Sequence, residues 1–365
     1  MMEYKKLGDI ATYVNGYAFK PEQRGKKGLP IIRIQDLTGN SYDLGYYEGD
    51  YPKKIELNNG DVLISWSASL GVYHWNRGKA LLNQHIFKVI FDKVNINKFF
   101  FMYAVEYNLK KMSLKTHGAT MKHITKKDFD NVIIPFPTLE KQGEIAQDLN
   151  IIKRIIEKYN QQINLLDELV KARFVELFGD SATNEYNWPM LNLENVSSII
   201  TYGLTVRPTY VNKGIDLISA RELHKGFIEY EVAPKISFND FQSLSDKGKP
   251  LKNDILFSKT GSIGHCALVD TDKMFAITQN AARLGLIIEK VNPVWLLYYL
   301  RMNYIQDWCK RHAKGNAVKD LQLKDIKAIP LFECPLELQN QFADFVKEVD
   351  KSRFIIKSMI KEGLL

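Results

Sequence analysis

The chain has 365 residues, 45% hydrophobic and 25% charged, with a formal net charge of +8 and a pI near 9.0. This is ordinary globular composition, long enough for two domains with their own cores, and the basic excess suits a polyanion partner. No apolar run reaches membrane-spanning length, and the Met1-Met2-Glu3-Tyr4-Lys5 start leads into no signal-peptide core, so the cytoplasm is the expected compartment.

From the N-terminus, Glu3-Tyr4-Lys5 has the Glu-x-Lys spacing of many metal-dependent nucleases. No acidic partner precedes it, so it reads as a solvated start. Residues 31–34, 62–65 and 87–91 are short apolar runs bounded by Gly, Asn, Asp and Pro, and they predict strands. Residues 97–111 predict a helix, and Ile133-Ile134-Pro135-Phe136-Pro137 is an extended lead-in. From Ile145 onward, apolar residues recur at alternating steps of four and three: Ile145, Leu149, Ile152, Ile156, Tyr159, Ile163, Leu166 and Val170. That is a heptad seam. The prolines before it and Gly179-Asp180 after it bound a helix over 139–178, a rod of roughly 60 Å at the α-helical rise. A stripe this long needs a partner helix. Residues 180–189 are polar and turn-rich and form a link.

Beyond the link, 216–219, 255–258 and 283–288 predict strands, and 293–311 predicts a helix with Pro293 in its first turn. A second long helix, 336–365, carries Phe342, Val346, Val349, Ile356 and Ile360 in the seam phase, with Arg353 as its one lapse. The simplest arrangement is an intramolecular coiled coil of the two long helices. The plainer alternative is that each packs separately on a globular domain.

These elements repeat. Leu7-Gly8-Asp9-Ile10 resembles Leu193-Glu194-Asn195-Val196. Gly60-Asp61-Val62-Leu63-Ile64-Ser65 resembles Asn253-Asp254-Ile255-Leu256-Phe257-Ser258. Asn83-Gln84 meets Thr278-Gln279-Asn280. Gly118 with Lys122 and Asp128 meets Gly315 with Lys319 and Asp325, and Leu139-Glu140-Lys141-Gln142 meets Leu336-Glu337-Leu338-Gln339. The matches stay collinear at a slowly growing offset, so a unit of mixed α/β globular part plus long helix is used twice. The boundaries are 1–138, 139–180, 181–335 and 336–365.

The chemistry-bearing motifs are few. No Gly-x-x-x-x-Gly-Lys-Ser/Thr loop, no Asn/Asp-Pro-Pro-aromatic motif and no glycine-rich cofactor loop after a strand is present. His74, His85, His117 and His123 lack metal-ligand spacing. Gly261-Ser262-Ile263-Gly264 reads as a tight turn after a strand, and Cys266, Cys309 and Cys334 read as buried apolar fillers. What recurs is basic and polar residues on loops with aromatics between them. The first copy offers Lys20, Arg24, Lys26, Lys27, Arg33, Ser67, Tyr73, Arg77, Lys79, Gln84, His117 and Lys122. The second offers Arg207, Lys213, Arg221, Lys259, Thr260, Gln279, Asn280, Lys314, Asn316 and Lys319. Lys and Arg neutralise phosphates, while Arg, Asn and Gln can grip a base edge. For one residue alone a solvated basic surface is the simpler reading, but on equivalent loops of two copies the set points to DNA.

The stretch Ile134-Pro135-Phe136-Pro137-Thr138-Leu139-Glu140-Lys141-Gln142-Gly143-Glu144-Ile145-Ala146 resembles the specificity subunits of type I restriction–modification systems, which lead into each long helix with an I-P-x-P-x-L-x-x-Q-x-x-I-type motif. Asn83-Gln84, Gly118-Ala119-Thr120 and Phe174-Val175-Glu176-Leu177-Phe178-Gly179 agree, with looser counterparts in the second copy. The resemblance implies two target-recognition domains, each reading half of a bipartite asymmetric DNA site. It also implies two antiparallel helices as a spacer, and a non-catalytic chain that binds no cofactor itself. Two methyltransferase subunits using S-adenosylmethionine and two motor-nuclease subunits using ATP and magnesium are the implied partners. Two departures stand out: the second long helix ends early relative to the first, and Pro330 and Pro335 replace the tight Pro-x-Pro. The competing classes are a nuclease with its own site, tested by cleavage with magnesium, and a coiled-coil interaction protein without a DNA role.

Overall fold

The computed structural model describes residues 3–40, 43–115 and 124–362. It divides into two compact units, 1–157 and 158–365.

In the first unit, β1 (Tyr4–Lys6) pairs antiparallel with β10 (Ile133–Pro135). The Glu-x-Lys start is therefore largely strand, and it stays solvated as expected, with Glu3 and Tyr4 exposed. One four-stranded antiparallel sheet has the order β2-β9-β6-β7, built from Thr12–Asn15, Ile86–Ile90, Val62–Ser65 and Gly71–His74. The second has the order β4-β3-β8-β5, built from Tyr46–Tyr47, Leu29–Ile32, Ala80–Leu82 and Glu56–Leu57, with β3 and β8 parallel. Strand β6 is the wall between two cores. Its side chains alternate, so Val62 and Ile64 enter a core with Phe87, Phe100, Phe101 and Phe129, while Leu63 enters another with Phe19, Trp75 and Leu81. A strand buried on both faces has no polar alternation, which is why 62–65 reads as a continuous apolar run. The helix Lys98–Lys115 covers the first core.

The second unit repeats this plan. β11 (Met190–Asn192) pairs with β20 (Pro330–Phe332), and β12 (Ser197–Tyr202), β19 (Ala281–Leu286), β16 (Ile255–Ser258) and β17 (Cys266–Leu268) form the first sheet in that order. In the other sheet, β13 (Tyr210–Val211), β15 (Lys235–Ile236), β14 (Ile215–Ile218) and β18 (Phe275–Ile277) line up, with β14 and β18 parallel. Ile255 and Phe257 face one core and Leu256 the other, as in β6. The Asp61–Lys88 pair beneath the first sheet becomes Asp254–Arg283, at 2.8 and 2.6 Å. Among the described residues, the strand Glu56–Leu57 is without a counterpart in the second unit.

Four strand expectations overran: 87–91 stops at Ile90 and 283–288 at Leu286, and two more have a visible cause. The runs 31–34 and 216–219 stop at Ile32 and Ile218. The Asp36 carboxylate accepts from the Arg33 backbone N–H, and Glu222 accepts from Ser219, so each chain turns into a short helix through a capping box. The helix expected over 293–311 is two, Pro293–Leu300 and Asn303–His312. Gln306 Nε2 donates to the Leu300 carbonyl at 2.7 Å, satisfying the helix end and allowing the break.

The first long helix, Leu139–Phe178, runs its full predicted length. In the first unit its opening turns follow the plainer alternative. Ala146 is buried in the globular core with Ile145 against it, Leu149 and Ile156 are half-buried, and Ile152 is 40% exposed. Ile145 therefore packs on its own domain instead of serving as a coil residue, and the exposure of Ile152 corrects its place in a closed seam. In the second unit the seam closes. Val170, Phe174 and Phe178 are fully buried with Phe342, Val346 and Val349 of the helix Leu336–Glu362, and Leu166 packs on them. Tyr159, Ile163, Ile356 and Ile360 are half-buried. Phe342 meets Phe174 edge-on at 5.2 Å, while Arg353, farther along its helix, reaches back to Asp167 at 2.5 Å. That order makes the pair antiparallel. Arg353 is no defect in the pattern, since it bridges Asp167 across the pair and Asp350 on its own helix.

Candidate nucleic-acid interface

Both units anchor the long helix in the same way. Gln142 is buried at the first turn. Its Oε1 accepts from Asn97 N at 2.8 Å and its Nε2 donates to Pro137 O at 2.8 Å. Gln339 repeats this with Asn292 N and Cys334 O, both at 2.9 Å. The glutamine ties the start of the long helix to the lead-in loop and to the cap of the globular helix, because Asn97 and Asn292 are themselves the N-caps.

The strand ends gather a loop cluster. In the second unit the carbonyl of Leu204 accepts from Gln279 N, that of Asn280 from Lys259 N, that of Lys259 from Leu321 N, and that of Lys319 from Gly261 N. Four segments thus meet at one edge. Gly203 makes this approach possible, because a Cβ there would lie 1.7 Å from the Ile277 carbonyl oxygen. Gly16 holds the equivalent place, with a Cβ 2.0 Å from Asn83 O. The first unit shows the same scheme, with Gln84 N on Tyr17 O, Trp66 N on His85 O and Ile124 N on Trp66 O.

At the centre of the second cluster, Lys259 Nζ and Thr260 Oγ1 both donate to Asp320 Oδ1 at 2.5 Å. Lys259 Nζ also lies 6.0 Å from the Tyr202 ring centroid. Burial pushes the Asp320 carboxyl up, but the hydrogen bonds and charge of Lys259 and Thr260 outweigh it and hold the group below the usual carboxylate range. The loop bearing Asp320 is closed by two backbone bonds between Lys314 and Asp320, both 2.8 Å. Gly315 sits at φ +104°, where a Cβ would meet Val318 O at 2.2 Å. Lys314, Asn316, Val318 and Lys319 stand exposed on this loop.

The sequence matches the family described as "Type I restriction modification DNA specificity domain" over residues 1–167 and 205–365. The chain belongs to that family. It is 27% identical over 352 residues to the type I restriction enzyme EcoBI specificity subunit of Escherichia coli, covering 88% of this chain and 73% of that protein. It is 23% identical over 381 residues to the MjaVIII specificity subunit of Methanocaldococcus jannaschii, covering 95% and 86%. The fold is similar to the crystal structure of a type I restriction–modification S subunit from M. genitalium, with a TM-score of 0.54 at 14% identity over 100% of this chain and 93% of that one. It is also similar to a chain solved in work on complex assembly and conformational transition of the type I R-M system, with a TM-score of 0.51 at 16% identity over 99% and 94%. The protein is a specificity subunit of a type I restriction–modification system.

In this specificity subunit the expected DNA contacts separate into groups. The cluster of the second unit unites Lys259, Thr260, Gln279, Asn280, Lys314, Asn316 and Lys319. In the first it holds Gln84 and a buried Ser67. Lys20, Lys26, Lys27, Arg207 and Lys213 are exposed on other loops, and Arg24 donates to Phe19 O. Three of the expected cations are engaged within the chain. Lys259 is only 9% exposed and held by Asp320. Arg33 is half-buried against the buried Asp36. Arg221 is exposed but its guanidinium is paired with Glu222. Arg77 donates to Asp36 O and lies over Trp75, Lys79 reaches Glu56, and Tyr73 packs against the second core of its unit. His117 and Lys122 lie outside the described residues. The sequence reading missed Tyr17, Tyr202 and Asp320. The adjacency of Tyr17 and Tyr202 to the repeated glycines is an available signal, whereas no local pattern marks Asp320 as the partner of Lys259.

All three cysteines are buried, and burial pushes the Cys309 and Cys334 thiols up to about 12. Among the described residues, no group of three or more His, Cys, Asp or Glu side chains is arranged for a metal ion, and no helix is long and apolar enough to cross a membrane.

Proposed function

We propose that each unit reads one half of a bipartite, asymmetric DNA site through its loop cluster, and that the long helices set the distance between the halves. The carrying observation is the duplication of one scaffold, down to its buried glutamine and its close-approach glycine, beneath loops of different content. A repeated frame with diverged loops is what two similar readers of two different sequences require. Phosphate contacts by the exposed lysines would supply affinity, and polar side chains at the strand ends would supply base discrimination. The chain acts as a non-catalytic scaffold in the cytoplasm. Two methyltransferase subunits bring S-adenosylmethionine, and two restriction subunits use ATP and magnesium.

The test is binding of the assembled complex to DNA carrying the two half-sites with centres about 34–36 Å apart, one helical turn. Discrimination between that site and scrambled DNA at fixed salt is the expected result. Equal affinity for both would overturn the reading. Inserting four residues near Tyr159 adds about 6 Å of helix and should widen the recognised gap with both half-sites unchanged. A changed half-site would contradict the spacer role.

A further inference from the structure

Most charged side chains exposed on the loop that crosses the second cluster are lysines, and one is a carboxylate. An anion on a face that meets a polyanion raises the cost of association unless it is neutralised or meets a donor. Asp320 is neutralised on one side only. Lys259 and Thr260 both occupy Oδ1, and no hydrogen bond from a described residue reaches Oδ2. The side chain is 39% exposed, so an incoming ligand can reach the carboxylate. It is also fixed in place. The paired backbone bonds to Lys314 lock its main chain, the Leu321 N bond to Lys259 O anchors the next residue, and two donors lock its carboxylate. A rigid acceptor beside lysines is the arrangement that reads a base amino group, because aspartate accepts from such groups in the major groove.

We infer that Asp320 is a specificity-determining residue of the second unit, its Oδ2 accepting a hydrogen bond from the exocyclic amino group of a cytosine or adenine. Lys259 and Thr260 are its positioning residues. The inference rests on the loop cluster being the DNA face.

Asp320→Asn makes the test sharp. The lysine and hydroxyl donors keep the amide oxygen where Oδ1 stood, so the amide nitrogen takes the place of Oδ2 and presents a donor. Binding of the full chain in its assembled complex is measured against a duplex library that varies every position of the second half-site. The wild type is expected to require a base with a major-groove amino group at one position, with a loss of about tenfold on replacement by guanine or thymine. Asp320→Asn should shift that one position toward the carbonyl-bearing guanine or thymine and leave the others unchanged. Asp320→Ala should flatten that position. A thermal melt shows whether each variant is folded. A uniform loss of affinity across all sequences, or an unchanged profile in folded Asp320→Asn, would overturn the inference and leave two-domain reading standing. A wild type with no sequence preference anywhere would instead overturn the proposed function itself.

Discussion

Replacing Gln339 by leucine keeps the volume of the side chain and removes both of its hydrogen bonds. The residue is 2% exposed, so water has little access to the two groups left behind, Asn292 N and Cys334 O. Each stranded buried group costs about 1–3 kcal/mol, which gives about 2–6 kcal/mol in all. In a unit of this size, 1 kcal/mol moves a melting temperature by about 2–4 °C, so the second unit should melt roughly 5–15 °C earlier. Calorimetry with tryptophan fluorescence reads this, because Trp295 lies in the core beside Phe178 and Phe174. Gln142→Leu should produce the same loss in the first unit and leave the second transition in place. Asn340→Ala removes an exposed bond to Asn292 and should cost under about 0.5 kcal/mol. A loss below about 1 kcal/mol for Gln339→Leu would refute the claim that this glutamine anchors the helix.

Gly203→Ala drives a Cβ into the Ile277 carbonyl and should destabilise by at least about 3 kcal/mol, whereas Gly143→Ala has open space within its helix and should stabilise by roughly 1 kcal/mol in the same denaturant titration. Phe342→Ala empties the centre of a cluster with Phe174, Phe178 and Tyr298 and should cost about 3–5 kcal/mol, with cooperative melting of the second unit lost first. Lys314→Glu with Lys319→Glu should weaken DNA binding on all sequences and lower the slope of log affinity against log salt by about two. An unchanged slope would remove both from the phosphate contacts. Burial, then the neighbouring charge of His224, lowers the His265 pKa below its ordinary 6.5. The folded state therefore binds fewer protons, and this contribution to stability is full above pH 6.5 and lost as pH falls through the lowered value. His265→Gln should flatten the acid side of the stability curve, measured as melting temperature between pH 7 and 5.

The parts legible in the sequence are those with a local cause. Strands 62–65 and 255–258 were readable because both faces are buried, leaving an apolar run between turn residues. Leu139–Phe178 was readable from its seam and its stops, and the duplication from collinear matches. Strands Thr12–Asn15 and Ser197–Tyr202 were not, because their polar residues take strand form only against Ile86–Ile90 and Ala281–Leu286. The runs 31–34 and 216–219 carried a capping signal, Arg33 to Asp36 and Ser219 to Glu222, that outweighed β propensity two residues before the first run ended and one residue before the second. The site suffered most from distance. Asp320 captures Lys259 from 61 residues away, and nothing local to Lys259 marks it as an ion-pair partner instead of a free phosphate contact.

The two loop clusters show where the duplicated scaffold stops constraining its side chains. Position 66 and position 259 make the same backbone bonds, donating to His85 O or Asn280 O and accepting from Ile124 N or Leu321 N. The backbone at this edge is thus held by its own ladder and does not depend on the side chain it displays. The first unit places an indole there, edge-on to His85 at 5.0 Å, and the second places an ammonium locked to a carboxylate. The buried glutamine has no such freedom, because its side chain is itself the connection between three segments. Where the main chain carries the structure, the displayed side chains can diverge to suit different ligands. Where a side chain carries it, both copies keep the same function at that place, with the same residue in Gln142 and Gln339 and an equivalent one in Lys88 and Arg283. That division makes one frame serve two different readers.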